Sequence, residues 1–432
     1  MLRKVLIITY YWPPAGGIAV VRWVKFAKYL RNCGWEPVIY TVSNGSYPLM
    51  DASLGNDVPE NIQVIKRPIL EPHQLYRFFS ASKNSSGLAD IKPRHRASYF
   101  EKISNWVRSN FFIPDARALW IKPSVKYLST YLKTNPVDGM VSTGPPHSAH
   151  LIALSLKKNI GLPWLADFRD PWTTMDYYKE LLLTTRADRK HHRLELEVLK
   201  TADAVTVVGN GMKNEFEKKS GRTVKVVTNG FDEDDFTHND MHLDDHFSIV
   251  HIGTFFSRIN PHNLWQVLAE LKEEEHPMFA DLKIKLMGRV DPSVVDSIRM
   301  AGLEKYLILT AIQPHQEAVR QMKNAQVLLL CIFEQTKFVL TGKLFEYLAS
   351  KRPIVCVGPV EGDAAAVLTE TGAGVTFSFE DKIHIKQHLM DLYQKFKAGE
   401  LNHFKNNSRN YSHKELVKEI ASQLNQITSI KI

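Results

Sequence analysis

Apolar positions recur along this chain in two rhythms. Short unbroken runs such as Val5-Leu6-Ile7-Ile8 and Val327 to Phe333 suit strands buried on both faces. Between them lie amphipathic stretches of helical period, such as "GIAVVRWVKFAKYLRNCG", closed by Gly34. The alternation starts with the strand at Val5 and the strand "PVIYTV", then passes an irregular stretch. It resumes with "DGMVSTG", a helix from about Pro146, "PWLADFRD", a long charged helix to about Lys200, "DAVTVVG", a helix and "TVKVVTNG". The polar stretch "FDEDDFTHNDMHLDDH", residues 231–246, reads as a linker. After it the rhythm restarts with "FSIVHIG", "LKIKLMG", "YLILT", "AQVLLLCIF" and "PIVCVG", each followed by a helix, then "GAGVTF" and two final helices.

Strand–helix alternation of this kind implies parallel sheets covered on both faces. The expected fold class is therefore α/β, with two doubly wound Rossmann-like domains facing a cleft. The expected domains are 1–230 and 245–410, with 411–432 a C-terminal helix that is a candidate to cross back to the first. At about 150 residues per domain, the 432 residues agree. In doubly wound sheets ligands sit at the carboxyl ends of strands, so the loops there carry the functional signal.

The longest apolar run, Val327 to Phe333, is far short of the roughly 20 residues of a membrane helix. The N-terminal "MLRKVLIITYYWPPAGG" has basic residues before an apolar run, as a signal peptide does. The run is too short, though, and ends in aromatics and prolines instead of a small-residue cleavage site. It reads as the first strand. Cys33, Cys331 and Cys356 form neither a metal-ligand nor a disulfide pattern, which fits a reducing cytoplasm. The net charge of +9 comes without zinc-finger spacing or an RNA-binding aromatic signature. Nucleic acid is not the expected partner; an anionic lipid surface or a phosphorylated substrate is.

Four loops stand out. In "PPAGGIAVVR", Gly16 and Gly17 precede a helix, so their amides can approach an anion, or they form only a tight turn. In "STGPPHSAH", His147 opens a helix as a ligand contact or as a cap. "ADFRDPW" crowds Asp167, Arg169 and Asp170 at a strand end, and Asp167–Arg169 is a candidate structural ion pair. "GTFFSRINPHN" opens the first helix of the second domain with Arg258, a residue suited to a diphosphate. A fifth segment, "TGKLFEYLASKRPIV", places Glu346 inside the apolar part of a short helix, one turn after Lys343.

Taken in order over both domains, "YYWPPAGG", "STGPPHSAH", "ADFRDPW", "VVTNGFD", "HIGTFFSR" and "TGKLFEYLASKRPIV" resemble the GT-B glycosyltransferases of family 4, in their bacterial surface-polysaccharide branch. The resemblance implies a retaining transferase. It would move a sugar from a nucleotide-diphospho-sugar to an acceptor hydroxyl, in capsule, O-antigen or exopolysaccharide synthesis, without a required cofactor or metal. By the same resemblance Glu346 bonds the ribose hydroxyls, Lys343 and Arg258 meet the diphosphate, and Leu344, Gly16 and Gly17 line the nucleotide-sugar site. His147 and Asp170 are candidates for sugar or acceptor contacts. Phe338 stands where the family's E-x7-E pattern has its first glutamate. That departure leaves open which residue holds the donor sugar. Two rivals share the fold: a nucleotide-sugar 2-epimerase and a non-catalytic binding protein.

The segment Lys92 to Trp120 sets Phe100, Ile103, Trp106 and Val107 at helical spacing, with Lys102 and Arg108 alongside. Such a helix either packs on its own domain or lies on an anionic bilayer. The second case suits a lipid-linked saccharide acceptor and a protein at the inner face of the cell membrane.

Overall fold

The computed structural model describes residues 2–71, 99–175, 178, 180–237 and 242–429. Residues 92–98 of the segment Lys92 to Trp120, with the side chains of Phe100 and Lys102, lie outside the described residues. The chain forms two compact units: Met1–Thr228 together with Leu416–Ile432, and Asn229–Glu415.

The first unit holds strands β1 (Arg3–Ile8), β2 (Trp35–Val42), β3 (Gln63–Arg67), β4 (Gly139–Gly144), β5 (Trp164–Phe168), β6 (Ala204–Val207) and β7 (Lys225–Val226). They pair in parallel in the order β3-β2-β1-β4-β5-β6-β7. The order reverses direction between β1 and β4, which is where such a sheet opens a ligand crevice. β1 shows why its apolar run is unbroken. Leu6 and Ile8 enter the core on one face, with Trp120, Trp164 and Phe168. Val5 and Ile7 enter the opposite core, with Trp23 and Val24 of the helix Ile18–Leu30. The C-terminal helix His413–Ser429 completes that second core with Val417, Ile420 and Leu424.

The second unit repeats the design with β8 (Phe247–Ile252), β9 (Leu282–Met287), β10 (Leu307–Thr310), β11 (Val327–Cys331), β12 (Ile354–Val357) and β13 (Gly374–Phe377). These are parallel in the order β10-β9-β8-β11-β12-β13, with the reversal between β8 and β11. Phe247 and Ile249 face one core, Val250 and Ile252 the other. Both α/β sheets thus have the doubly wound form expected from the alternation.

Two features differ from the sequence reading. The stretch left irregular contains β3 and the helices Tyr99–Phe111 and Ala118–Thr134. β3 is an edge strand with little burial, so it has no apolar run to reveal it, and Pro123 lies within the second helix. The expected linker starts inside the second unit: Phe231 pairs with Ser412, and residues Glu233–Phe236 form a 3-10 turn. The helix Gly342–Ser350 ends on a basic pair. Lys351 takes the left-handed cap conformation, while Arg352 is buried and caps the carbonyls of Ala325 and Leu401.

Candidate functional site

In the second unit the loops after β8 and β11 and the helix Gly342–Ser350 carry the residues singled out above. That helix begins at Thr341, whose Oγ1 is buried without a hydrogen-bond partner. No side chain caps its first turn, which leaves helix N–H groups and the positive dipole end for an anion. Lys343 stands in this turn. Its Nζ donates to Thr254 O at 3.1 Å and to His251 Nε2 at 3.2 Å. Burial pushes the ammonium down to about 8. The fit is close: a Cβ on Gly253, at φ 111°, would meet Lys343 Cε at 2.5 Å, so only glycine serves there.

One turn on, Glu346 is half-buried and its Oε1 lies 3.1 Å from His315 Nε2. Leu344, Phe345, Tyr347 and Leu348 face the core, and Glu346 keeps the partly open side. Leu344 is a correction to the expected lining: its side chain is wholly in the core and its N–H goes to Thr341 O. Arg258 is exposed in the short turn Ser257–Ile259, just ahead of the helix His262–Glu273. Its guanidinium lies 5.3 Å from the ring centroids of both Phe256 and Phe333, a stacked mounting that arginine supports and lysine does not. Phe338 is 56% exposed.

In the first unit, the "PPAGG" loop packs on residues 49–51 through a bridge between Ala15 and Met50. Here the structure corrects Gly16: its N–H is donated to Leu49 O at 2.9 Å, so it is not free to meet an anion. Gly17, at φ 91°, is the turn residue from which the helix Ile18–Leu30 starts.

The expected Asp167–Arg169 pair is a second correction. Asp167 instead pairs with Arg22 at 2.8 Å, both fully buried. It also accepts from Trp23 Nε1, Thr143 and Thr206. Burial alone would raise its pKa, but Arg22 and these donors outweigh it and hold the carboxyl below its usual range. Arg169 turns instead to Thr143 Oγ1 and Pro145 O. Asp170 is only partly buried by surface area, and burial raises its pKa.

His147 is not a cap. Asp115 takes that role, accepting from Ser148 N and Oγ. The His147 ring stacks on Trp172 at 4.7 Å, and neither ring nitrogen has a hydrogen-bond partner. Burial pushes its pKa well below the ordinary value, so it is neutral. It lines a cavity of about 250 Å³ with Tyr11, Arg108, Arg117 and Tyr178.

Sequence reasoning missed Arg22, His251 and His315. His251 stood in a quoted motif, "HIGTFFSR", and a histidine inside an otherwise apolar strand was the available signal. Arg22 had none, because its partner lies 145 positions away.

Two doubly wound units with glycine-led loops at strand ends, and cations at helix starts, define the class: a two-unit parallel α/β fold. No protein-family model and no curated protein matches this sequence. Solved structures do match it in fold. A glycosyltransferase from Rickettsia africae is similar at 13% identity, with all of both chains covered and a TM-score of 0.62. The Anabaena protein HepE in complex with UDP-glucose is similar at 14% identity, over 99% of this chain and 97% of that one, with a TM-score of 0.53. A putative UDP-N-acetylglucosamine 2-epimerase from Listeria monocytogenes is similar at 9% identity, over 100% and 98%, with a TM-score of 0.56. At these identities the likeness is one of fold: the chain has the GT-B fold.

Proposed function

We propose that this protein is a glycosyltransferase that takes a sugar from a nucleotide-diphospho-sugar and places it on an acceptor hydroxyl. The observation that carries the reading is Lys343. Its ammonium is held at an uncapped helix start, behind a parallel strand, by two neutral acceptors, with the Glu346 carboxylate one turn on. A diphosphate at the helix start and a ribose at the carboxylate fit that spacing. The fold's likeness to a protein solved in complex with UDP-glucose supports it.

In this reading the bond from the anomeric carbon to the diphosphate breaks as the acceptor oxygen bonds that carbon. The leaving phosphate takes the acceptor's proton, so sugar configuration is retained and no separate base is needed. Lys343, Arg258 and the amide of Gly342 stabilise the charge that builds on the diphosphate. No cofactor or metal is required. The acceptor is a saccharide, and the cavity lined by His147 is its candidate seat. A neutral imidazole offers one donor and one acceptor, as a sugar hydroxyl does. Asp170 contacts donor sugar or acceptor.

The test is release of nucleotide diphosphate from a panel of nucleotide sugars, with EDTA present. Release that requires an acceptor supports the transferase; conversion of the nucleotide sugar to its 2-epimer without an acceptor and without net release favours the 2-epimerase. Glu346→Ala should weaken nucleotide diphosphate binding by about 1.5–3 kcal/mol through lost charge-assisted hydrogen bonds, read by calorimetry. Unchanged affinity would reject the ribose role.

We place the protein in the cytoplasm, on surface-polysaccharide synthesis with a lipid-linked acceptor at the inner membrane face. Among the described residues no helix is long and apolar enough to cross a membrane. The helix Tyr99–Phe111 leaves Ile103, Trp106, Val107 and Phe111 exposed. Asn110 ties it to the Leu182–Thr184 segment, where Leu182 is also exposed. Arg108, Arg186, Arg189 and Lys190 are exposed cations on this helix and on the helix Thr185–Thr201. An apolar stripe with cations beside it matches an anionic lipid surface. The protein should co-sediment with phosphatidylglycerol vesicles and not with phosphatidylcholine ones, and Trp106→Asp should release it. Equal recovery with both lipids would remove the membrane contact.

A further inference from the structure

A half-buried ammonium needs acceptors, and the choice of acceptor decides what it can still do. A carboxylate would hold Lys343 and also cancel its charge. The two groups that do hold it, Thr254 O and His251 Nε2, are neutral. His251 sits on β8, 1% exposed, with its ring stacked on Phe255 at 4.1 Å. Its Nδ1 lies 3.0 Å from Leu329 O. A carbonyl oxygen only accepts, so Nδ1 carries the proton and Nε2 presents its lone pair to Lys343. Burial, with the charge of Lys343 adding to it, pushes the imidazole down to about 3, so the ring stays neutral. Two of the three ammonium N–H groups are thereby engaged.

We infer that His251 is a positioning residue: it fixes the direction of the Lys343 ammonium toward the diphosphate without neutralising it. The inference rests on the donor-site reading above. It explains why a histidine interrupts the apolar strand Phe247–Ile252, and why Gly253 follows so closely, since any side chain there would displace Lys343. The other titratable groups acting on Lys343 are Cys331, at the end of β11, and Glu346 on its own helix. Burial raises the Cys331 thiol, so it brings no charge at neutral pH.

The experiment follows Lys343 itself, by NMR of the full-length protein with 13C-labelled lysine. The Cε resonance is assigned by its loss in Lys343→Met. In the ligand-free protein it should titrate near pH 8. His251→Leu removes an acceptor from the charged form, so the midpoint should fall by about half a pH unit or more. His251→Gln, whose amide oxygen accepts, should return most of that shift. His251→Asn, polar but too short to reach Lys343, should not. UDP affinity at pH 7 should fall about tenfold in His251→Leu and recover in His251→Gln. A Lys343 titration that is the same in all three folded variants overturns the positioning role. If the titration moves but UDP binds equally well to Lys343→Met, the donor-site reading fails while the coupling of His251 to Lys343 stands.

Discussion

Lys343→Ala is expected to lower turnover of the donor by about 10²–10³-fold, the usual cost of losing one preorganised electrostatic contact. The effect on binding of the intact donor should be smaller. In the ground state the diphosphate shares its charge with the sugar bond; as that bond breaks, the leaving oxygen gains charge and the ammonium counts for more. Lys343 is well placed for this. Its two acceptors are neutral, so they leave its charge uncancelled for the arriving anion, and a bound anion favours the charged form against the effect of burial. The sign follows: the folded-state pKa is lowered to about 8, so binding of nucleotide diphosphate should weaken as pH rises through that value. Arg258→Ala should act in the same direction. Arg258→Lys should rescue it only in part, because a lysine neither stacks on Phe256 and Phe333 nor grips two oxygens. Steady-state kinetics with the right donor decides the matter. Near-normal turnover in both alanine variants would move the site elsewhere.

Asp167→Ala should destabilise the first unit by about 3–5 kcal/mol, the cost of stranding one charge of a buried pair. Arg22 would keep Val227 O and Thr228 O as acceptors but lose its counter-ion, and Trp23, Thr143 and Thr206 would each lose an acceptor. Urea melts followed by tryptophan fluorescence measure it. Replacing both partners, Asp167→Leu with Arg22→Met, should cost less than Asp167→Ala alone, since it leaves no unpaired charge. The pH dependence has a definite sign. The folded pKa of Asp167 is depressed, so its stabilisation is complete above the unfolded carboxylate value, about 4, and is lost as pH falls towards the folded value. A loss within 1 kcal/mol for Asp167→Ala would show that the pair contributes little beyond its neighbours' packing.

The parallel sheets were legible because strands buried on two faces must be apolar throughout. Val5 to Ile8 and Val327 to Cys331 announce themselves for that reason. The edge strand Gln63–Arg67 does not, because one side of it faces water. Among the candidate site residues, Lys343 and Glu346 were legible as charges placed against the apolar pattern of a short helix. Gly16 and Leu344 were misread because the motif marks a loop or helix, not which of its atoms are already engaged. Gly16 spends its N–H on Leu49, and Leu344 turns into the core.

What the sequence determined by itself is the periodicity: which of the well-buried segments are strands, which are helices, and that the series runs twice, since burial on a sheet or a helix face is a local pattern. What only the tertiary structure decided is pairing. Asp167 has Arg169 two residues away and takes Arg22 instead. Lys343 is held by His251, 92 positions distant. The C-terminal helix joins the core of the first unit. Charges and hydrogen-bonding groups find partners through space once the strands are ordered in the sheet, and strand order is set by crossovers that no local pattern records.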